Sequence, residues 1–373
     1  MRVEKVITSD FKERYMLLDD RGDPVEPVLR FLKYKDNIGS ARNTLKAYCY
    51  HLKLFFEFLE QHNLDYWDVG IDDMALFMSW LHNPAGNSKV HYLLPQPPSR
   101  KPRTVNIIIS SVLGFYDYIM RHEEYSLMLS ERLTTKISGS KRNFKDFLFH
   151  ITKDKLIKKK LLYVKAPKEK PRTLSKEQIC KLINNCSNSR DKLLIHLLWE
   201  SSMRIGEALT LWLEDIDASA CKIHIKDRGE LDNHAEIKTV NSPRAIDVSM
   251  DLINQFMDYV AEYHTDEVDT NHVFIKISGK NKFKPMQYED VVSLFNRLKL
   301  KTSIQVNPHM LRHSSLTELR RSGWQPEHLR IRAGHAMVHT TLQLYIHPSD
   351  EDIRADWEKA MTNMKLKKDG EIR

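Results

Sequence analysis

The chain has 373 residues, of which 41% are hydrophobic and 29% are charged, with only 12 glycines and 14 prolines. This composition excludes collagen-like and wholly disordered chains, and four scattered cysteines without a C-x-x-C pair exclude a disulfide scaffold. No stretch approaches the ~18 apolar residues of a membrane span and no signal-peptide core follows Met1, so we expect a cytoplasmic protein of two or three domains without membrane contact.

The first 130 residues show the three- and four-residue apolar spacing of amphipathic helices. This spacing predicts helices over 40–61, 72–81 and 104–122, and no other kind of element. We therefore expect a small helical domain over residues 36–130. The preceding segment, 1–35, either extends this domain or forms a short arm.

The positive charge of the chain is concentrated in one segment. The net charge is +8, but residues 131–175 hold 14 basic and four acidic side chains, which leaves the rest of the chain slightly negative. Such a segment attracts a polyanion, of which nucleic acid is the commonest, although it is also compatible with a solvated connector. Two prolines close together favour an extended linker, which we place at 131–173.

A second domain is predicted over residues 174–373. It begins with the capping-box pattern Ser175-x-x-Gln178 and continues with helices. Three short alternating runs then predict an antiparallel sheet within this otherwise helical domain. The runs are 222–226, 235–238 and 244–248. After the sheet, the pattern returns to helices over 250–263, 288–299, 308–322 and 326–332, and to a last helix over 349–366.

Two short motifs in this domain pair polar residues at helical spacing. His309 and Arg312 are three residues apart, so on a helix both project from one face and can hold one small anion. Arg204 and Glu207 have the same spacing, and the carboxylate can hold the guanidinium in place. Either motif alone is a weak signal.

Taken in chain order, the polar residues resemble the tyrosine recombinase family, also called the phage integrase family. The pattern of that family is Arg, Lys, H-x-x-R, His or Trp, and Tyr. The matching positions are Arg204, Lys238, His309, Arg312, His335 and Tyr345, with Gly334 before His335 and Thr340-Thr341 before Tyr345. This chain has one extra residue before Tyr345, and Ser202 where many members have glycine. The resemblance covers residues 170–360, and the N-terminal helices look like the core-binding domain of the family.

The resemblance implies a mainly α fold with a small antiparallel sheet, and cleavage and rejoining of DNA through a 3′-phosphotyrosine. Arg204 and Arg312 would neutralise the phosphate, which two guanidiniums can do without a metal or other cofactor. Tyr345 would be the nucleophile, with His309 as proton acceptor. Lys238 would protonate the leaving 5′-hydroxyl, and His335 would donate to a non-bridging oxygen.

The same resemblance implies the partners. The family binds double-stranded DNA as a tetramer on two duplexes, commonly passing a C-terminal helix between neighbours, and 349–366 is the candidate for that contact here. The long segment before Ser40 looks most like the transposase A type encoded by transposons of Gram-positive bacteria. A second recombinase from the same mobile element is therefore an additional candidate partner.

Several alternatives stay open at this point. The i, i+4 pairs His309/His313 and His335/His339 have zinc-binding spacing, although the form H-E-x-x-H is absent. The role of Lys238 could fall to Lys226, Arg228 or Arg244. The whole chain could also be an idle DNA-binding accessory protein, or a DNA-relaxing enzyme like the type IB topoisomerases.

Overall fold

A computed structural model describes most of the chain, which divides into two compact units, Met1–Lys168 and Glu169–Arg373. The division falls inside the segment predicted as a basic linker. The described residues are 1–9, 12–83, 99–122, 134–137, 157–160, 163–164, 172–237, 241–335 and 354. Lys238, Tyr345, most of the basic segment and all of the predicted helix 349–366 except Arg354 lie outside them.

The described part of the N-terminal unit contains four helices and an N-terminal β-hairpin. Its elements are β1 (Arg2–Ile7), β2 (Glu13–Leu18), α1 (Glu26–Asn37), α2 (Arg42–Gln61), α3 (Ile71–His82) and α4 (Pro102–His122). The two strands pair antiparallel, with Arg2 opposite Leu18 and Ile7 opposite Glu13. Within the segment predicted as a linker, Thr134–Ile137 and Ile157–Lys160 form a second antiparallel pair, β3 and β4.

The three predicted helices of this unit are confirmed, because their apolar stripes meet in one core. The prediction of helices alone was wrong for the first 18 residues, which form the hairpin. Leu17 on β2 and Phe31 on α1 are buried in the same core as Leu52 and Phe55 on α2. The mixed run Tyr15–Leu18 fits either a helix or a strand, so its spacing could not identify the hairpin.

The C-terminal unit is mainly helical around a three-stranded sheet. Its elements are α5 (Lys176–Asn184), α6 (Ser189–Ser201), α7 (Ile205–Leu209), β5 (Ile216–Asp217), β6 (Lys222–Ile225), β7 (Arg244–Asp247), α8 (Met250–Tyr263), α9 (Tyr288–Thr302), α10 (Pro308–Arg321) and α11 (Pro326–Ala333). The sheet order is β5-β6-β7, with both pairings antiparallel.

The predicted capping box at Ser175 is confirmed: its hydroxyl accepts from the Gln178 N–H at 3.3 Å. The predicted strand 235–238 is wrong over its described part, 235–237. There the Ala235 N–H donates to the Asn233 side chain at 3.1 Å instead of to a neighbouring strand. Ile216–Asp217 forms the third strand in its place. None of the described helices is long and apolar enough to cross a bilayer.

Candidate active site

Arg204 lies at the N-cap of α7, one residue before the helix begins. Its backbone N–H donates to Oε2 of Glu207 at 2.8 Å, and its Nη1 donates to Oε1 at 2.8 Å. Glu207 is buried, whereas the Arg204 side chain is 23% exposed. The carboxylate thus fixes the guanidinium from inside the protein while part of the arginine stays accessible to an anion.

Arg244, the first residue of β7, is a second guanidinium held by Glu207. Its Nη2 donates to Oε2 at 2.9 Å, and its Nη1 lies 3.2 Å from Oε1. Its Nε donates to the Arg332 carbonyl at 2.7 Å and its Nη1 to the Ser242 carbonyl at 2.6 Å. The Arg244 side chain therefore links β7 to α7 and to the end of α11.

The charges around Glu207 determine its ionisation. Burial alone would raise the pKa of this carboxyl group, but the hydrogen bond and charge of Arg244, the Arg204 N–H and the charge of Arg312 lower it to about 2. Glu207 is therefore ionised throughout the physiological range. The pairing with Arg244 joins positions 37 residues apart, a contact that sequence spacing could not reveal.

Arg312 lies in α10 and is almost wholly buried, with 1% of its surface exposed. Its Nη1 donates to the Ser202 carbonyl and its Nη2 to the Ala333 carbonyl, each at 2.6 Å. Nη2 also lies 3.0 Å from Nε2 of His335. The Arg312 guanidinium therefore contacts three segments: Ser202 at the end of α6, Ala333 at the end of α11, and His335.

Two residues in the left-handed backbone region shape this convergence. Gly334 ends α11 with φ +61°, and a Cβ there would meet Nη1 of Arg244 at 2.8 Å and the Asn241 carbonyl oxygen at 3.0 Å, so a larger residue would displace the Arg244 guanidinium. Ser202 ends α6 with φ +58°, a conformation that favours glycine. Its hydroxyl lies 2.5 Å from the Ser315 hydroxyl, which anchors the larger side chain. The turn at Ser202 thus presents its carbonyl to Arg312 without a glycine.

His335 is neutral at physiological pH in this environment. Burial, followed by the charges of Arg312, Arg204 and Arg244, lowers its pKa to about 3. Arginine only donates hydrogen bonds, so Nε2 of His335 accepts from Arg312 and the proton of the neutral ring sits on Nδ1. The His335 imidazole is therefore held in place by Arg312, which precedes it in the family motif.

His309 is exposed at the start of α10 and contacts His313 one turn later. Their Nε2 atoms are 2.6 Å apart, and the rings are nearly perpendicular at 85°. Burial, then the charges of His309 and Arg312, lower the pKa of His313 to about 4. His313 is thus a neutral, buried partner for His309. Within the described part of the chain, no three His, Cys, Asp or Glu side chains are grouped to hold a metal ion.

The cations considered as substitutes for Lys238 are each paired with a buried carboxylate. Nζ of Lys226 lies 3.0 Å from Oδ1 of Asp215, and Nη1 of Arg228 lies 2.8 Å from Oδ2 of the same residue. The Arg228 guanidinium also lies over the Trp212 ring at 4.2 Å. Arg244 is held by Glu207, as described above.

The structure therefore brings together Arg204, Arg312 and His335, and it places His309 on the same helix as Arg312. Nη2 of Arg204 lies 3.5 Å from the Gly334 carbonyl, beside His335. Lys238 and Tyr345 lie outside the described residues. Glu207 was expected beside Arg204. The sequence considered His313 only as a zinc-spaced pair of His309 and Arg244 only as a substitute for Lys238, and it did not identify Ser315.

Comparison with known proteins gives consistent matches over nearly the whole chain. Residues 172–352 match the phage integrase family, and residues 29–123 match the N-terminal SAM-like domain of phage integrases. Transposase A from transposon Tn554 of Staphylococcus aureus is 37% identical over 95% of this chain and 96% of its own length. Tyrosine recombinase XerA of Pyrococcus horikoshii is 22% identical over 88% of this chain and 92% of its own length.

Solved structures show the same fold at low sequence identity. A Tn1549 transposon integrase in complex with a circular intermediate DNA has a TM-score of 0.61 at 18% identity, covering 89% of this chain and 99% of that one. XerH site-specific recombinase bound to palindromic difH substrate also has a TM-score of 0.61, at 17% identity, covering 89% of this chain and 95% of that one.

Proposed function

Because this chain belongs to the phage integrase family and is a recombinase that cuts and rejoins DNA, we propose that Tyr345 carries the strand transfer. The phenol oxygen attacks the scissile phosphorus and forms a 3′-phosphotyrosine, and the bond to the 5′-oxygen breaks. A second DNA 5′-hydroxyl then attacks the phosphotyrosine and releases the enzyme. The observation that supports this most is the convergence of Arg204, Arg312 and His335 on one place.

The two arginines neutralise the phosphate as charge develops on it. Arg204 is fixed by Glu207 but remains partly exposed, so its outer donors serve a non-bridging oxygen. Arg312 is preorganised by two carbonyl acceptors, which restrict its position before DNA binds. Three guanidiniums around one ionised carboxylate leave an excess of positive charge, which suits a phosphodiester.

Protons move through the remaining residues. His309 accepts the phenol proton of Tyr345, whose ordinary pKa near ~10 requires a nearby base and a positive field. The contact with His313 supports this role, because a fixed neighbour at one nitrogen orients the ring. Lys238 protonates the leaving 5′-hydroxyl, and the pairing of Lys226, Arg228 and Arg244 with carboxylates supports Lys238 over those three. His335 donates to a non-bridging oxygen.

We further propose that the protein acts in the cytoplasm on two DNA duplexes as a tetramer, with residues 349–366 passed between neighbouring subunits. Its place in a mobile element is supported by the likeness to a Tn554 transposase, and DNA as partner by solved relatives that were captured on DNA. A second recombinase from the same element is a further candidate partner.

The proposal is tested on nicked duplex DNA that carries the end sequences of the element, so that the cleaved strand cannot religate. Wild-type protein in a chelator should form a covalent adduct on a denaturing gel, and Tyr345→Phe should form none. Tyr288→Phe is the matched control, because Tyr288 is an exposed tyrosine at the start of α9, and it should form the adduct normally. An adduct from Tyr345→Phe would show that another residue is the nucleophile.

A further inference from the structure

Residues 276–284, called the lysine loop below, form a basic hairpin between Val273–Ile275 and Met286. The segment contains four lysines in nine residues and no acidic residue. Lys276 is half-buried and anchored, with Nζ 3.1 Å from Oδ2 of Asp290 and 3.3 Å from Oε1 of Gln287. The other three, Lys280, Lys282 and Lys284, are exposed.

Many other cations of the C-terminal unit are paired with a carboxylate. Arg190 and Arg297 pair with Asp191, Lys226 and Arg228 pair with Asp215, and Arg330 pairs with Glu327. Among the described residues, none of the three exposed loop lysines lies within 4 Å of a carboxylate. The loop therefore presents three positive charges that the described protein does not neutralise.

The loop backbone is held in one conformation. The Lys276 N–H donates to the Lys284 carbonyl at 2.9 Å, and the Phe283 N–H donates to the Lys276 carbonyl at 2.7 Å. Phe283 packs against the main core although its φ is +72°, a value rarely adopted by a bulky residue. Such a conformation persists only where the surrounding structure enforces it, and it concentrates at functional sites. The charges are thus displayed from a fixed platform.

One side chain ties this platform to the active site. Nδ2 of Asn233 donates to the Leu209 carbonyl at 2.8 Å and to the Met286 carbonyl at 3.2 Å. Leu209 ends α7, and Arg204 caps the start of that five-residue helix, a length of about 7.5 Å. Asn233 also precedes Lys238 by five residues. Asp232 and Asn233 line an open concavity together with Lys276, Asn281 and Lys284 of the loop.

From these observations we infer that the lysine loop is a second phosphate-binding site, which holds the backbone of duplex DNA beside the scissile position. This inference rests on the proposed function, since it assigns a contact to the same DNA. Lys280, Lys282 and Lys284 bind phosphate oxygens as point charges, without reading bases. The loop contributes affinity and register, and the chemistry stays at Arg204 and Arg312.

The test is the salt dependence of binding to a random-sequence 40-base-pair duplex, because phosphate contacts are independent of sequence. Each neutralised phosphate contributes about −0.9 to the slope of log affinity against log salt. The variant Lys280→Gln/Lys282→Gln/Lys284→Gln should therefore show a slope shallower by about 2.7 and weaker binding at low salt. Replacement of the same three residues by arginine should restore the wild-type slope.

The matched control removes the same charge elsewhere in the C-terminal unit, by Lys181→Gln/Lys192→Gln/Lys299→Gln on the exposed faces of α5, α6 and α9. Its slope should change much less. Equal slopes for the two glutamine variants would overturn the inference, since the effect would then be one of net charge. The proposed strand transfer is tested separately by formation of the covalent adduct with wild-type protein. A failure of that proposal can therefore be distinguished from a failure of the inference about the lysine loop.

Discussion

The two units of this protein are stabilised by different kinds of interior. The N-terminal core contains a cluster of aromatic rings among aliphatic side chains, with edge-to-face pairs such as Phe55 against Phe77 at 5.1 Å and Phe31 against Phe115 at 5.7 Å. Among its described residues, Ser111 is the only polar side chain that is buried. The C-terminal unit instead buries charged side chains within a mostly aliphatic core. These are Arg190, Asp191, Glu207, Asp215 and Arg312.

The contrast shows that stability of the fold alone does not explain the buried charges of the C-terminal unit. A buried phenylalanine ring needs no polar partner, whereas a buried charge destabilises the fold unless it is paired and hydrogen-bonded. Buried pairs also occur away from the site, at Asp191 and Asp215. The site around Glu207 differs because three guanidiniums converge there and two of them donate to it. In the mechanism proposed above, an incoming phosphodiester neutralises this excess positive charge.

The largest effect is expected from removing the charge of Glu207 without changing its size. Glu207→Gln leaves the Arg204 and Arg244 guanidiniums near each other without their carboxylate. Breaking such a buried pair typically costs about 3–5 kcal/mol. We expect a loss of this size in the unfolding free energy of the C-terminal unit, measured by calorimetry on the full chain, together with loss of the covalent adduct.

A matched substitution in the N-terminal unit provides the control. Phe77→Leu keeps an apolar side chain in the ring cluster. It should therefore lower the unfolding free energy by less than about 1.5 kcal/mol, and it should affect the N-terminal unit instead of the C-terminal unit. If Glu207→Gln were as mild as Phe77→Leu, the buried charges would not distinguish the two units energetically.

A smaller effect is expected from acid. His335 and His313 have folded pKa values lowered to about 3 and about 4, so they stay neutral in the folded protein while the unfolded chain binds protons below about 6.5. Stability contributed by the neutral rings is therefore fully present above pH 6.5 and is lost as the pH falls toward 4. We expect the melting temperature of the C-terminal unit to drop by several degrees between pH 7 and pH 5.

The variant His313→Gln separates this effect from other titrations, because it removes one of the two histidines whose pKa values are lowered to about 3 and about 4. Its melting temperature should fall less than that of the wild type over the same pH interval. His328→Gln, which removes an exposed histidine, should follow the wild type. Equal pH dependence in all three proteins would contradict a role for the buried imidazoles.

The sequence predicted what local spacing controls. Helix α8 was placed at its observed bounds, because Ser249 caps it and an apolar stripe runs along it. Motif order also named four described residues of the candidate site, Arg204, His309, Arg312 and His335, and their roles stay a prediction. The pairing of Arg244 with Glu207 and the left-handed turn at Ser202 could not be predicted in the same way. Both depend on segments that meet only after the chain has folded.

The smallest effect is expected at the turn where the Ser202 carbonyl accepts a hydrogen bond from Arg312. Ser202 has φ +58°, and a non-glycine residue in this region costs about 1–2 kcal/mol. Ser202→Gly relieves that cost but leaves the buried Ser315 hydroxyl without its partner, which costs about 1–3 kcal/mol, so the single variant should be close to neutral.

The double variant Ser202→Gly/Ser315→Ala removes both hydroxyls, and deleting both partners of a hydrogen bond is nearly neutral. The relief of backbone strain then remains, and we expect a gain of about 1 kcal/mol, or about 2–4 °C in the melting temperature. A double variant less stable than the wild type would mean that the bond between the two hydroxyls outweighs the backbone strain. The position of Arg312 would then depend on that bond as much as on its own carbonyl acceptors.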